Sequence, residues 1–197
     1  MKKAFLLVLI LFVSVISTAC INNLAVQELN NKAKDYLDKG DFENAISRLN
    51  SSIDLDSTIF ETHYDLGIAY TQAEKYPEAV ETFQSAIKLK PDFADAYYSL
   101  AVAQENYAKG IIDGSLKNKD DNDKTKTQDL DAEQPKKELT IEEKAQIETL
   151  LNDSITSYSS YLDKGQDIKD KKDVEEKIEY LKTQALKYSS DKKTNVE

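Results

Sequence analysis

The sequence has few of the residues that build catalytic and metal sites. Its 197 residues include one histidine (His63), one cysteine (Cys20) and no tryptophan. A single cysteine excludes an internal disulfide, and a single histidine argues against a histidine-based metal or acid–base site. The sequence has no glycine-rich phosphate loop, no H-E-x-x-H and no G-x-S-x-G motif. We therefore predict that the protein is not an enzyme and holds no metal or dissociable cofactor.

Glycine and proline are also scarce, at 5 and 3 residues, whereas charged residues make up 31% of the chain. Few helix breakers and many Ala, Leu, Lys and Glu residues predict an all-α fold. The formal net charge of −10 argues against nucleic acid as a partner. The acidic run Asp120–Asp123 lacks the spacing of a calcium loop and is flanked by lysines, so we interpret it as a solvated segment.

The N-terminus has the composition of an export signal. Lys2 and Lys3 precede an almost wholly apolar run from Ala4 to Ile16, and small residues lead into Cys20. We predict a signal peptide over residues 1–19. The sole cysteine directly after Ala19 resembles a bacterial lipoprotein signal, although Ser17 stands where that family usually has leucine. An ordinary signal peptide, or an uncleaved anchor with an incidental cysteine, is the alternative.

The lipoprotein resemblance implies a covalent lipid on Cys20, with acyl chains such as palmitate, and a short tether over residues 20–25. It implies a protein of the bacterial cell envelope, anchored to a membrane and facing outside the cytoplasm. Asn22 follows the cysteine by two positions, where the family commonly has Asp for inner-membrane retention. The outer membrane is therefore favoured if the organism is Gram-negative.

The middle of the chain carries a repeat motif. Small, large and helix-ending residues recur with the spacing L-G-x2-Y…A-x3-F…P, on Leu66, Gly67, Tyr70, Ala79, Phe83, Ala86 and Pro91. This pattern resembles the tetratricopeptide repeat (TPR), a helix–turn–helix unit of 34 residues. His63 stands where the family most often has Trp, a position that packs between helices.

Shifting this unit by 34 residues in both directions predicts three repeats. The third is interrupted, because a run rich in Lys and Asp replaces the turn between its helices. The second half of the third repeat aligns Ser154 with Ala79 and Tyr158 with Phe83. It also aligns the bulky Tyr161 with the small residue Ala86. The predicted segments are TPR 1 (26–59), TPR 2 (60–93), TPR 3 (94–168, with a flexible insertion at about 110–139), a C-terminal capping helix (169–188) and a tail (189–197).

Three positions mark predicted helix starts. Thr58 with Glu61, and Thr140 with Glu143, have the spacing of capping boxes, and Pro77 falls in a first turn.

The TPR resemblance also implies a function, because stacked repeats form a concave face on which the family binds peptides. The positions that face inward in such repeats fall on Asn30, Lys34, Tyr64, Ile68, Thr71, Tyr98, Val102 and Glu105. Asp65, Ser99 and Val102 do not match the basic and amide clamp with which some family members hold a terminal carboxylate. The alternative for Tyr64 and Tyr98 is that both only pack against neighbouring helices.

We therefore expect a membrane-anchored adaptor that binds another envelope protein, or a flexible segment of one, in an aromatic and aliphatic groove. The alternative is a self-associating structural lipoprotein without a peptide ligand. Under this alternative the protein forms a homo-oligomer.

Overall fold

The computed structural model describes residues 23–116 and 138–189, which form seven helices and no strand. The helices are α1 (residues 23–38), α2 (Phe42–Leu55), α3 (Phe60–Gln72), α4 (Tyr76–Leu89), α5 (Ala94–Asp113), α6 (Ile141–Lys164) and α7 (Lys171–Ser189). Consecutive helices pack side by side, so α1–α2, α3–α4 and α5–α6 are the three pairs and α7 covers the last one. The all-α solenoid of three repeats plus a C-terminal helix is confirmed.

Apolar residues of each pair meet those of the next pair, which makes the core continuous along the solenoid. The first two pairs share one cluster of buried residues: Ala33, Ala45, Ile46, Leu49, Leu66 and Ala69. The second pair and α5 share another: Ala79, Phe83, Leu100 and Ala103. The largest cluster joins α5, α6 and α7 and includes Ala101, Ile147, Leu151, Tyr158, Ile178 and Leu181. Because each pair buries its apolar side against a neighbour, stacking rather than the single hairpin stabilises the fold.

Close approach within the pairs depends on matched small and large residues. A Cβ built on Gly67 would lie 2.6 Å from the ring of Phe83, so only glycine allows this ring to sit against α3. The third pair has Ala101 at the equivalent position, and the Ser154 hydroxyl donates a hydrogen bond to its carbonyl oxygen over 2.9 Å. This contact places Ser154 of α6 directly against the small position of α5.

Two segment boundaries differ from those predicted. Residues 23–25, expected to end the tether, belong to α1. Gln27 Nε2 donates to Asn23 Oδ1 over 2.8 Å one turn away, and no glycine or proline interrupts the helix there. Val26, only 3% exposed, is the first residue of α1 in the core.

The insertion starts later than the predicted residue 110, because α5 continues to Asp113. Ile111 is buried in the third cluster, which extends the helix. Gly114 ends it with a φ of +72°, and Ser115 N donates to Gly110 O over 3.0 Å. Leu116 packs back over Gly110. The left-handed glycine and this 6→1 bond end the helix.

One of the two predicted capping boxes forms. The Thr140 hydroxyl accepts from Glu143 N over 3.1 Å, and the Glu143 carboxylate accepts from Thr140 N over 2.9 Å. The capping box predicted at Thr58 is wrong, because the Asp56 carboxylate accepts hydrogen bonds from both the amide and the hydroxyl of Thr58. The helix α3 therefore begins one residue later, after Ile59, without a side-chain cap. Pro77 lies in the first turn of α4 as predicted.

Several predictions fall on residues outside the described ranges. They are the signal peptide (1–19), the lipidation site Cys20, the centre of the insertion (117–137) with Asp120–Asp123, and nearly all of the tail (190–197). Among the helices of residues 23–116 and 138–189, none combines the length and the apolar character needed to cross a membrane.

Candidate peptide-binding groove

The first helices of the pairs and the capping helix touch each other along one side of the solenoid, here called the inner face. Asn30 of α1 donates through Nδ2 to Thr62 Oγ1 of α3 over 2.9 Å. The hydroxyl oxygens of Tyr64 in α3 and Ser99 in α5 lie 3.2 Å apart. Glu105 of α5 in turn pairs with α7. The order α1, α3, α5, α7 along one face is the arrangement expected of stacked helix–turn–helix repeats.

A cavity of about 150 Å³ opens on the inner face between α3 and α5. Phe83 of α4, fully buried, contributes to its wall. The residues that line it are Ile68, Thr71, Gln72, Phe83, Tyr98, Ser99 and Val102. The lining is mostly apolar, with hydroxyl and amide groups available for orientation, which is the usual composition of a binding pocket.

Tyr64 lies beside this cavity and is half-buried among aromatic rings. Its ring centroid is 5.8 Å from that of Phe83 and 5.1 Å from that of Phe93, the latter edge to face. Burial raises the pKa of its hydroxyl, and Asp95 and Asp65 add to the rise although the Ser99 bond opposes it. Tyr64 is therefore a neutral residue packed against neighbouring rings and in contact with Ser99, and its contact with a ligand stays a prediction.

Tyr98 differs, because 37% of its surface is exposed and it lines the cavity. Its ring meets the rings of Tyr158 and Tyr161 at centroid distances of 5.5 and 5.2 Å, both edge to face. Tyr161 occupies a position that is small in the other repeats, and its ring contacts Tyr98 on α5. An aromatic side chain held on one edge and open on the other is suited to contact a ligand.

Charges of both signs act on Asp65 at the α1–α3 end of the inner face. Burial raises the pKa of the Asp65 carboxyl; the charge of Lys34 lowers it and that of Glu61 raises it again. Lys34 itself is exposed. The predicted residue Asn30 is used for packing, since it bonds to the buried Thr62.

At the other end of the inner face, Glu105 connects three helices. Its carboxylate accepts from Lys177 Nζ of α7 over 3.0 Å and from the Tyr158 hydroxyl of α6 over 3.3 Å. Burial, with the adjacent Glu105 charge, raises the pKa of Tyr158 far above its ordinary value, so the phenol keeps its proton. Glu105 was predicted as a groove residue, but its bonds serve the contact between α5, α6 and α7.

The structure thus brings together half of the eight predicted groove residues. Ile68, Thr71, Tyr98 and Val102 line the cavity, whereas Asn30, Lys34, Tyr64 and Glu105 lie elsewhere on the inner face. Sequence reasoning missed Gln72, Phe83 and Ser99 as lining residues. Gln72 and Ser99 directly follow predicted positions on the same helices, so a wider band of each helix would have included them.

Other chemistry has little support among the described residues. The side chain of His63 lies with Nε2 3.0 Å from the carbonyl oxygen of Ser57, at the loop before α3 and away from the cavity lining. Within residues 23–116 and 138–189, no group of three or more His, Cys, Asp or Glu residues is placed to hold a metal ion.

Two family models match the repeat region. Residues 30–86 match the model described as tetratricopeptide repeat, and residues 69–106 match one described as TPR repeat. Together the matches run from within α1 to within α5 and include the cavity between α3 and α5. No curated protein is similar enough in sequence to count as a match.

Solved TPR structures share the fold at low sequence identity. The first TPR of Spaghetti (RPAP3), bound to an HSP90 peptide, is 15% identical with a TM-score of 0.56, over 83% of this chain and 94% of that one. The second TPR domain of human RPAP3, in complex with an HSP70 peptide, is 15% identical with a TM-score of 0.56, over 80% and 98%. The TPR2B domain of yeast Sti1, in an Hsp70 complex, is 16% identical with a TM-score of 0.50, over 82% and 98%.

The repeat matches, the stacked pairs and the TPR neighbours agree, and the described helices therefore form a tetratricopeptide-repeat solenoid.

Proposed function

We propose that this protein is an adaptor that binds a peptide segment of a partner protein in the cavity between α3 and α5. The observation that carries the proposal is the exposed Tyr98 ring at the edge of an apolar cavity of about 150 Å³. Aromatic anchors next to an apolar pocket are the residues that most often supply binding energy at protein interfaces.

The structural neighbours support a peptide ligand. The two RPAP3 domains hold the peptides SRMEEVD and SGPTIEEVD, so this arrangement of helices can accommodate a short peptide. At 15% identity these neighbours indicate the kind of ligand and not its sequence. The cavity residues of the present chain therefore have to define the ligand.

The pull-down that tests this uses one groove variant and one matched control. The full-length, tagged protein is compared with Tyr98→Ala, which removes the cavity edge, and with Tyr180→Ala. Tyr180 of α7 is 54% exposed and does not line the cavity, so it controls for the loss of an exposed tyrosine. We expect the wild type and Tyr180→Ala to recover a partner that Tyr98→Ala does not recover. Circular dichroism should show that all three proteins are equally folded. Recovery of the same partners by all three would contradict the groove.

The second part of the proposal is that the adaptor is a lipoprotein, anchored through Cys20 and facing outside the cytoplasm of a bacterial cell. Support comes from the basic start, the apolar run and the position of the sole cysteine. Two or more acyl chains, each contributing about 0.8 kcal/mol per buried CH₂, would hold the protein stably on a membrane. Because α1 already includes residue 23, the repeats would lie close to that membrane.

Replacement of the cysteine tests the anchor. Cys20→Ser should move the protein from the membrane fraction to the soluble fraction and abolish labelling by radioactive palmitate. Unchanged sedimentation with membranes, without labelling of the wild type, would favour an uncleaved apolar anchor.

A second candidate function is self-association, favoured by the ends of the solenoid. Leu24 of α1 and Leu186 of α7 are each 68% exposed, and a contact between the two ends would cover both. Sedimentation velocity decides this candidate, because a strict monomer over the accessible concentrations excludes it.

A further inference from the structure

We infer that the cavity between α3 and α5 selects a segment in which one apolar side chain is flanked by lysine or arginine. This inference rests on the proposed function and adds the chemical class of the ligand. It predicts a ligand opposite in charge to the acidic peptides of the structural neighbours.

The size and lining of the cavity define the apolar part. An apolar protein cavity of about 150 Å³ is large enough to hold a benzene molecule. The cavity here has the same size, about 150 Å³, and Ile68, Val102 and Phe83 give it an apolar wall. One aliphatic or aromatic side chain would fill it, and its burial would contribute about 1.5–3 kcal/mol.

The charges beside the cavity define the flanking residues. Asp65 and Asp95 each lie three residues before a lining residue, Ile68 on α3 and Tyr98 on α5 respectively, so each carboxylate is one turn away on its helix. Both act electrostatically on Tyr64, whose hydroxyl contacts the lining residue Ser99. The two carboxylates therefore belong to the two helices between which the cavity opens, one turn before its lining residues.

The nearby cations do not neutralise these carboxylates. Lys34 acts on Asp65, but Glu61 acts on the same group with the opposite sign. Lys177 at the far end is paired with Glu105. Lys90 is the other cation nearby, and its Nζ lies over the rings of Phe60 and Phe93, 4.3 and 5.5 Å from their centroids. Three carboxylates (Glu61, Asp65 and Asp95) thus stand against two lysines at this end. An acidic segment would be repelled, whereas a basic one would be attracted and aligned.

Lysine and arginine also fit the aromatic edge of the cavity. Their apolar stems can lie along the exposed part of Tyr98 while the charged ends reach Asp65 or Asp95. A cation above a tyrosine ring adds a favourable electrostatic contact. A single basic side chain next to the apolar anchor can therefore contact both the Tyr98 ring and one of the two carboxylates.

The test is a selection that does not presuppose the ligand. A library of random dodecapeptides displayed on phage is selected on the full-length protein in detergent and counter-selected on Tyr98→Ala. We expect the recovered peptides to combine Leu, Ile, Met or Phe with Lys or Arg within three residues, and to be depleted in Asp and Glu. Recovery of acidic or uncharged peptides in a Tyr98-dependent manner would overturn the inference and leave the groove proposal standing. Absence of any Tyr98-dependent peptide would overturn both.

The affinity of the most enriched peptide then tests the charges directly. Asp65→Asn combined with Asp95→Asn should weaken binding about tenfold and flatten its dependence on salt. The matched control removes two charges from the second helices, with Asp54→Asn on α2 and Glu81→Gln on α4. Both residues are exposed and neither lines the cavity. Equal affinities of the two double variants would reject the role of Asp65 and Asp95.

Discussion

At the scale of single residues, the turns of the first two pairs show how one backbone requirement is met by different side chains. Gly40 and Glu74 are 34 positions apart and have φ angles of +72° and +60°. The hydrogen bonds around them repeat as well, since Asp41 N donates to Tyr36 O and Lys75 N donates to Tyr70 O, both over 2.9 Å. The left-handed region costs a residue with a Cβ about 1–2 kcal/mol, and glycine avoids this cost. The second turn therefore holds a strained glutamate where the first holds a glycine.

The first prediction exchanges these two residue types. Glu74→Gly should relieve about 1–2 kcal/mol of backbone strain, and the extra entropy of glycine in the unfolded chain and the loss of the glutamate side chain's own interaction offset part of this gain. We expect the free energy of unfolding to rise by less than about 1 kcal/mol. Gly40→Ala should lower the free energy of unfolding by about 1 kcal/mol. The cause would be backbone strain alone, since a Cβ at Gly40 would meet no atom within 4 Å. Urea denaturation measures both. A destabilised Glu74→Gly protein would show that the glutamate side chain matters more than its backbone angle.

A second residue-scale prediction concerns the half-buried carboxyl of Asp65. Its pKa lies above the ordinary value of 3.8, chiefly because of burial. The folded protein therefore binds this proton more tightly than the unfolded chain, so the ionised group destabilises the fold at neutral pH. This penalty disappears as the pH falls through the raised pKa.

We expect Asp65→Asn to raise the melting temperature by about 1–2 °C at pH 7 and by nothing measurable at pH 3. Glu81→Gln, an exposed residue of α4, should change it at neither pH. A melting temperature of Asp65→Asn below that of the wild type at pH 7 would mean that the charge pair with Lys34 dominates. The expected stability of Asp65→Asn also makes its use in the peptide experiment interpretable.

At the scale of helices, the sequence predicted their existence better than their ends. Thr58 and Thr140 both have Glu three residues later, but only Thr140 forms the box, because Asp56 captures the hydroxyl of Thr58. The same limit applies to α5, whose last turn depends on the burial of Ile111 against distant residues. Local patterns cannot show which of two nearby acceptors or which distant partner prevails.

The contact between α5 and α7 illustrates what the sequence left out of the site. The repeat register correctly placed Glu105 on the inner face, and the apolar spacing correctly predicted a capping helix. Neither pattern indicates that Lys177 of that helix reaches Glu105, 72 residues away along the chain. Glu105 is therefore held in a contact between helices, and its contact with a ligand stays a prediction.

The third prediction tests this role. Lys177→Met should loosen α7, because Glu105, with a side chain only 25% exposed, loses its cation. We expect amide exchange in α7 to accelerate about fivefold, measured by hydrogen–deuterium exchange with mass spectrometry. Lys182→Met is the control, since it breaks a pair with Glu179 in which both side chains are more than half exposed. Equal acceleration in the two variants would assign the effect to lost surface charge.

At the scale of the whole molecule, the repeat pattern predicted the architecture because it records packing at a fixed period. Gly67, Ala101 and Ala33 all lie at the same position of their units and are all buried. The cavity was predicted only in part, because its volume depends on how far Phe83 and Tyr98 stand apart. Distances of that kind follow from packing between helices and not from residue spacing.

The final prediction concerns the third pair, whose two helices are separated in sequence by residues 114–140 and yet share the largest core cluster. Three hydrogen bonds cross between α5 and α6 at the same separation of 53 residues: Ser154 to Ala101, Ser157 to Gln104 and Tyr158 to Glu105. Two of their donors, Ser154 and Ser157, are buried. Apolar burial and bonds of this kind do not require the chain between the helices to be continuous.

A protease recognition site placed within residues 117–137 tests this independence. After cleavage, the two fragments should coelute in gel filtration at micromolar concentration, with the helical content of the intact protein. Addition of urea should separate them at a lower concentration than unfolds the uncut chain, because association then costs additional entropy. Ile147→Asp, which puts a charge at a fully buried position of the interface, should release the fragments without urea. Separation of the unmodified fragments in buffer would mean that the connection itself holds α6 and α7 against the first two repeats.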